Sequence, residues 1–142
     1  MSLLPRKNLL AIAAVIDVAL NAGDRPVSAK VLAARHGLPS RHLEPVLQAL
    51  VHDGILKGIR GPHGGYALAR ERRRITVDDI LQAADAVTED GERTMPRSHL
   101  LRDVVMPAVA HAEKAFAATL GRITIEDLAR RAAPLKETAN EN

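Results

Sequence analysis

Apolar residues recur along most of this 142-residue chain at helical spacing, and the exceptions are as informative as the rule. Leu9, Ile12, Ala13, Ile16, Ala19 and Leu20 fall on one face and predict a helix over 6–22, ending near Gly23. Asp24-Arg25-Pro26 makes a turn, and Ser28 can cap a second helix over 28–36 whose inner face is Val31, Leu32 and Ala34. Gly37 closes it with the left-handed backbone that helix C-termini favour. A third helix starts at Pro39-Ser40 and carries a buried stripe of Leu43, Val46, Leu47, Leu50 and Val51. Asp53-Gly54 stops it. Ile55–Ile59 and Tyr66–Arg70 then read as two short strands joined by Gly61-Pro62-His63-Gly64-Gly65.

Helical spacing returns after the hairpin. Thr76 and Asp79 form a capping-box pattern opening a helix over 77–87, with Ile80, Leu81, Ala84 and Val87 on its face. Residues 88–98 are polar and read as a loop. A long helix follows over 99–121, in which Leu101, Val105, Ala108, Ala112, Ala115 and Thr119 step by fours and threes, with Phe116 beside them. That seam suits a homodimer, although packing within one chain would also use it. Pro107 must either kink this helix or mark its first turn. Thr124-Ile-Glu-Asp127 caps a last helix to about Arg131. The predicted fold is mainly α with a small β-hairpin wing. Its parts are a winged helix-turn-helix over 1–87, a loop over 88–98, a dimerisation helix and terminal helix over 99–133, and a flexible tail over 134–142.

Charge adds a partner. Residues 1–75 hold twelve Lys/Arg against five Asp/Glu, a balance of +7, whereas residues 76–142 balance at −4. A basic front half on an acidic back half points to a polyanion for the front alone. Aromatics are confined to Tyr66 and Phe116, too few for an ordinary β-sandwich. With no cysteine, disulfides, a thiolate nucleophile and all-thiolate iron–sulfur ligation are excluded. The apolar stretch Leu9–Leu20 is broken by Asp17 and lacks a cleavage site, so it is not read as a signal peptide. No run is long enough to span a bilayer, and the reading is a soluble, cytoplasmic protein with no membrane partner.

Arg60-Gly-Pro-His-Gly-Gly-Tyr66 is the most specific motif. Together with Ser28–Leu38, Leu43-Glu44, Leu47, Leu50, Gly54-Ile55-Leu56, Ile75-Thr76, Phe116, Leu120 and Ile123–Leu128, it resembles the Rrf-two family of bacterial winged helix-turn-helix transcriptional regulators. The resemblance runs from about residue 8 to 130. It implies a homodimer paired through the long helix and bound to a near-palindromic operator in double-stranded DNA, most simply as a repressor. Ser40, Arg41, His42 and Glu44 would then face the major groove, and Arg60, His63 and Gly64 the adjacent minor groove or its phosphates. Ser28 and Gln48 complete the candidate DNA-binding set. Two departures stand out. Pro45 occupies a position where relatives carry a polar residue such as Gln, which puts the base preference and the local helix geometry in question. Cluster-binding members carry three cysteines in the region of 90–105, and this chain has none. It therefore resembles a cluster-free branch without cofactor, answering a small-molecule or protein effector near 88–105.

Other readings are weaker. His36, His52, His99 and His111 have no spacing that brings two imidazoles onto one ion, so no metal site is assigned. No phosphate-cradling loop follows a strand and no nucleophile–base set emerges, so the chain is not read as an enzyme. The rival functions are a winged-helix protein-interaction module and a metal- or haem-responsive regulator.

Overall fold

The computed structural model describes residues 4–21, 25–87 and 98–140, with side chains except at Leu101 and over 135–140. The expected end of the first helix near Gly23 and almost all of the 88–98 loop lie outside these residues. Among the described residues there are six α-helices and one hairpin: α1 Arg6–Leu20, α2 Ala29–Arg35, α3 Ser40–His52, β1 Leu56–Ile59, β2 Gly65–Leu68, α4 Val77–Asp85, α5 Met106–Leu120 and α6 Ile125–Asn140.

The centre is α1, which packs against α3, α4, α6 and β2. Its buried positions are Asn8, Ala11, Ala14, Val15, Val18 and Ala19, a stripe turned from the predicted one. Leu9, assigned inward by periodicity, is 44% exposed. The helix is apolar nearly all round. The bulky Leu and Ile suggested the core face, but close helix approach selected the alanines. The α2 face needs a similar correction: Leu32 is buried as predicted, but Val31 and Ala34 are exposed and Ala33 takes the inner position. The α3 stripe is the expected one, with Leu43, Val46, Leu47 and Leu50 fully inside.

Local chemistry explains the boundaries. Val31 N–H donates to Ser28 Oγ at 3.1 Å, capping α2. At the far end Gly37 has φ 65°, and Leu38 N–H reaches back to the Ala33 carbonyl while Gly37 N–H reaches Ala34. This Schellman closure turns the chain straight into α3. Thr76 and Asp79 exchange two 3.1 Å bonds at the start of α4, and Thr124 and Asp127 exchange bonds of 3.0 and 3.1 Å at the start of α6. The two caps sit together: Val77 N–H donates to the Ile123 carbonyl and Ile125 N–H to the Ile75 carbonyl. Ile125 and Ala129 are thereby buried, Ile125 within the head core, and α6 runs to Asn140 rather than ending near Arg131.

Ahead of α5 the chain is helical from His99, but Leu101–Val105 forms a wide π turn. Pro107 lacks the donor for the Asp103 carbonyl and its ring crowds that group, so the backbone widens just before it. Pro107 thus marks the first turn of α5. Pro45, by contrast, sits inside an unbroken α3. It deprives the Arg41 carbonyl of its helical partner on a face where both residues are exposed. Among the described residues no helix is long and apolar enough to cross a membrane.

Candidate nucleic-acid interface

The helix-turn-helix and the wing are joined by backbone. β1 and β2 pair antiparallel with Leu56 opposite Leu68 and Ile59 opposite Gly65. Val27, immediately before the α2 cap, adds a one-residue third strand by exchanging 2.9 and 2.8 Å bonds with Tyr66. Pattern reading missed Val27 because a single paired residue leaves no alternation. The bridge also explains Gly65, where an added Cβ would stand 2.6 Å from the Val27 carbonyl. Gly64, predicted to approach DNA, has an intrachain reason as well: a Cβ there would lie 2.2 Å from the Ile59 oxygen, and its N–H donates to Gly61. These two glycines let the tip fold tightly.

Arg41, Glu44, Pro45 and Gln48 share the exposed face of α3, while His42 is exposed beside them. Ser40 is half-buried at the helix start, and Ser28 is already engaged as the α2 cap. Gln48 Nε2 lies 3.5 Å from Tyr66 Oη, bridging α3 to the wing. The tip presents two sides. Arg60 lines a groove of about 470 Å³ with Gln48, Ile59 and Tyr66, between the wing and α3. His63 lines a groove of about 640 Å³ with Arg25, Ser28 and Arg35, between the wing and the start of α2. Arg25 was read from sequence only as part of a turn, so its place beside the tip was missed. Lys57, exposed on β1, was also missed; β1 is exposed from Lys57 to Ile59, so no alternation marks it.

Charge use divides sharply. The side chains of Arg41, His42, Glu44, Lys57, Arg60 and His63 make no ion pair or hydrogen bond among the described residues. Elsewhere most of the head's arginines are engaged internally, Arg6 and Arg25 excepted. Arg35 pairs with Asp17, which also faces His36 at 3.3 Å. Arg70 donates to the Gly54 carbonyl at 3.1 Å and faces Asp79 at 3.6 Å. Arg72 pairs with Glu126, and Arg73 with Glu71. The Arg72 contact, with help from Arg130, holds the Glu126 carboxyl below the usual carboxylate range. The Thr124 amide and hydroxyl do the same for Asp127.

On the predicted dimer seam, Val105, Ala108, Ala112, Ala115, Phe116 and Thr119 are all exposed, while the Leu101 side chain is outside the described set. No residue of α5 is buried. Ala112 and Phe116 border a groove facing α1 and α4.

A family model described as an iron-dependent transcriptional regulator, Rrf2, matches residues 4–131. The transcriptional regulator BadM of Rhodopseudomonas palustris is 33% identical over 109 residues, 71% of this chain and 69% of that protein. The regulator IscR of Xenorhabdus nematophila is 35% identical over 82 residues, 58% of this chain, and the match spans only half of IscR. Among solved structures, T. potens IscR superposes with a TM-score of 0.71 at 31% identity, covering 93% of this chain and 89% of that one. CymR of B. subtilis gives 0.68 at 27% identity, covering 92% and 98%. These relatives are regulators and not enzymes. The iron in the family description does not fit this donor set: the chain has no cysteine, and among the described residues no cluster of His, Asp and Glu could hold an ion. Shared winged architecture and a match along nearly its whole length establish that this chain belongs to the Rrf2 family of transcriptional regulators.

Proposed function

We propose that the chain is a sequence-specific DNA-binding repressor that grips a near-palindromic operator as a homodimer, without an iron–sulfur cluster. One observation carries this reading. The polar side chains left unengaged on α3, on β1 and on the wing tip include Arg41, His42, Glu44, Lys57, Arg60 and His63, a set able to meet base edges and phosphates. Most other arginines of the head are tied to carboxylates of the same chain. The two α3 helices of a dimer would enter successive major grooves, with the wings gripping the flanks. Repression is the simplest consequence of such a dimer occupying a promoter.

Support for pairing comes from the helix that finds no cover. Leu100, Val104, Val105, Met106, Val109 and Phe116 are large apolar side chains left exposed. Val105→Glu or Ala112→Glu should convert a dimer to monomer in sedimentation and weaken operator binding with it. An effector acting near 88–105 would alter the spacing of the two heads.

The direct test is a titration of the chain's own promoter duplex, followed by fluorescence anisotropy over a salt series. Affinity should fall steeply as salt rises, in proportion to the phosphates contacted. Absence of binding to that duplex in dilute buffer removes the proposal.

A further inference from the structure

An open groove of about 1010 Å³ lies between α5 and the head, with Asn8 of α1, Leu81 and Asp85 of α4, and Val109 and Phe116 of α5 on its walls. Asn8 is 3% exposed, and its Nδ2 donates to Asp85 Oδ1 at 3.0 Å. An ionised carboxylate can only accept, so this bond fixes the orientation of the amide. Asn8 Oδ1 is then a buried acceptor without a partner. Buried polar atoms are rarely left in that state, and this one calls for a donor.

The surrounding charge selects the kind of donor. The ionisable lining is Asp78, Asp85, Glu113 and Lys114, three carboxylates to one ammonium. Asp85 is the last residue of α4, where the free carbonyls of the helix add negative potential. Lys7, the neighbour of Asn8, is engaged elsewhere: its Nζ donates to the Val87 carbonyl at 2.6 Å. Among the described residues Asp85 has no cationic partner. Leu81, Val109, Phe116 and Leu120 supply the apolar part of the wall. Water can satisfy the Asn8 acceptor, but it neither neutralises the carboxylates nor covers that wall.

We propose that the groove binds a small organic cation, an amine or amidine on an apolar body, whose N–H groups donate to Asn8 Oδ1 and the Asp85 carboxylate. The two acceptors flank a single amide group, so one forked cationic donor can serve both. The site is distinct from the seam predicted for pairing. Val109, Glu113, Phe116 and Leu120 step by four, three and four along the groove side of α5. Ala108, Ala115 and Thr119 lie about a third of a turn away, so a partner on that face and a ligand in the groove are compatible. The site goes beyond the operator reading and stands without it.

Benzamidine, a planar amidinium on a phenyl ring, is the probe, and benzamide is its neutral counterpart of the same shape. Calorimetric titration of the full-length protein without DNA should give benzamidine a dissociation constant of about 1 mM or below. Benzamide should bind at least tenfold more weakly. Asp85→Asn removes one charge at an exposed position and should abolish that preference. Asn8→Leu should weaken benzamidine at least tenfold; should this buried substitution unfold the chain, Asp85→Asn still decides. Asp53→Asn, an exposed carboxylate outside the groove, should change neither affinity. Equal binding of the two probes by the parent, or a preference that survives Asp85→Asn, overturns the proposal and leaves the groove to water. Because no DNA is present, that result is separate from any failure to bind an operator.

Discussion

α3 and α5 are of similar length, 13 and 15 residues, and both carry regular apolar spacing, yet they meet opposite fates. α3 buries Leu43, Val46, Leu47 and Leu50 completely, whereas α5 buries nothing. Their sequences explain the contrast. α3 has one apolar stripe and one polar face, so it has a single way to pack. α5 spreads alanines around its circumference, with no dominant stripe to seat it on its own head. A helix that one chain folds completely is distinguished here from a helix that one chain only presents.

The largest test of that contrast is a pair of truncations. Leu47→Ala should lower the unfolding free energy in urea by about 2–5 kcal/mol, because it opens a cavity in a closed core. Val109→Ala, at a site on α5 that is 48% exposed, should leave unfolding of the dilute protein unchanged. Equal losses at the two sites would erase the distinction. Next comes the division between engaged and unengaged arginines. Arg60→Ala should weaken operator binding by about 1–3 kcal/mol without changing the melting temperature. Arg72→Ala should do the reverse, because its partners are Glu126 and the Ala19 carbonyl. A loss of DNA affinity at both positions would show that the basic run after the wing also touches DNA. A smaller effect is expected at the joined caps, where Thr76→Ala should cost about 1 kcal/mol in the same urea assay.

The smallest is a pH effect. Glu126 and Asp127 are both held below the usual carboxylate range in the folded protein. Their stabilisation is therefore complete above the ordinary carboxylate pKa of about 4, and is lost as pH falls through the lowered folded values. Acid titration by circular dichroism should show Glu126→Gln less sensitive than the parent to this fall. An unchanged acid transition would separate the Arg72 contact from the stability of the head.

Much of this was legible in the sequence because it depends on local chemistry. Capping pairs, Gly37, the α3 stripe and the hairpin positions each follow from neighbours a few residues away. Two kinds of feature were not legible. Faces of evenly apolar helices were misassigned at Leu9, Val31 and Ala34, because side-chain size is a poor guide where backbones approach closely. Long-range pairings such as Arg72 with Glu126, or Val27 with Tyr66, leave no periodic trace. Arg41, His42, Glu44 and Gln48 lie on α3, and Arg60, His63 and Gly64 on the hairpin tip, the elements that the sequence pattern predicts for them. What only three dimensions added was which of them are already occupied: Ser28 caps α2, Gln48 leans on Tyr66, and Gly64 is required by the turn.

The Val27 bridge has a mechanical consequence. One residue is at once the outer rung of the hairpin and the immediate neighbour of the hydroxyl that starts α2, so reading head and flanking finger share a single hinge pin. Their separation is set when the protein folds. A ligand with the wrong groove spacing meets a gauge that is already locked, and little ordering of the finger remains to be done at the moment of contact.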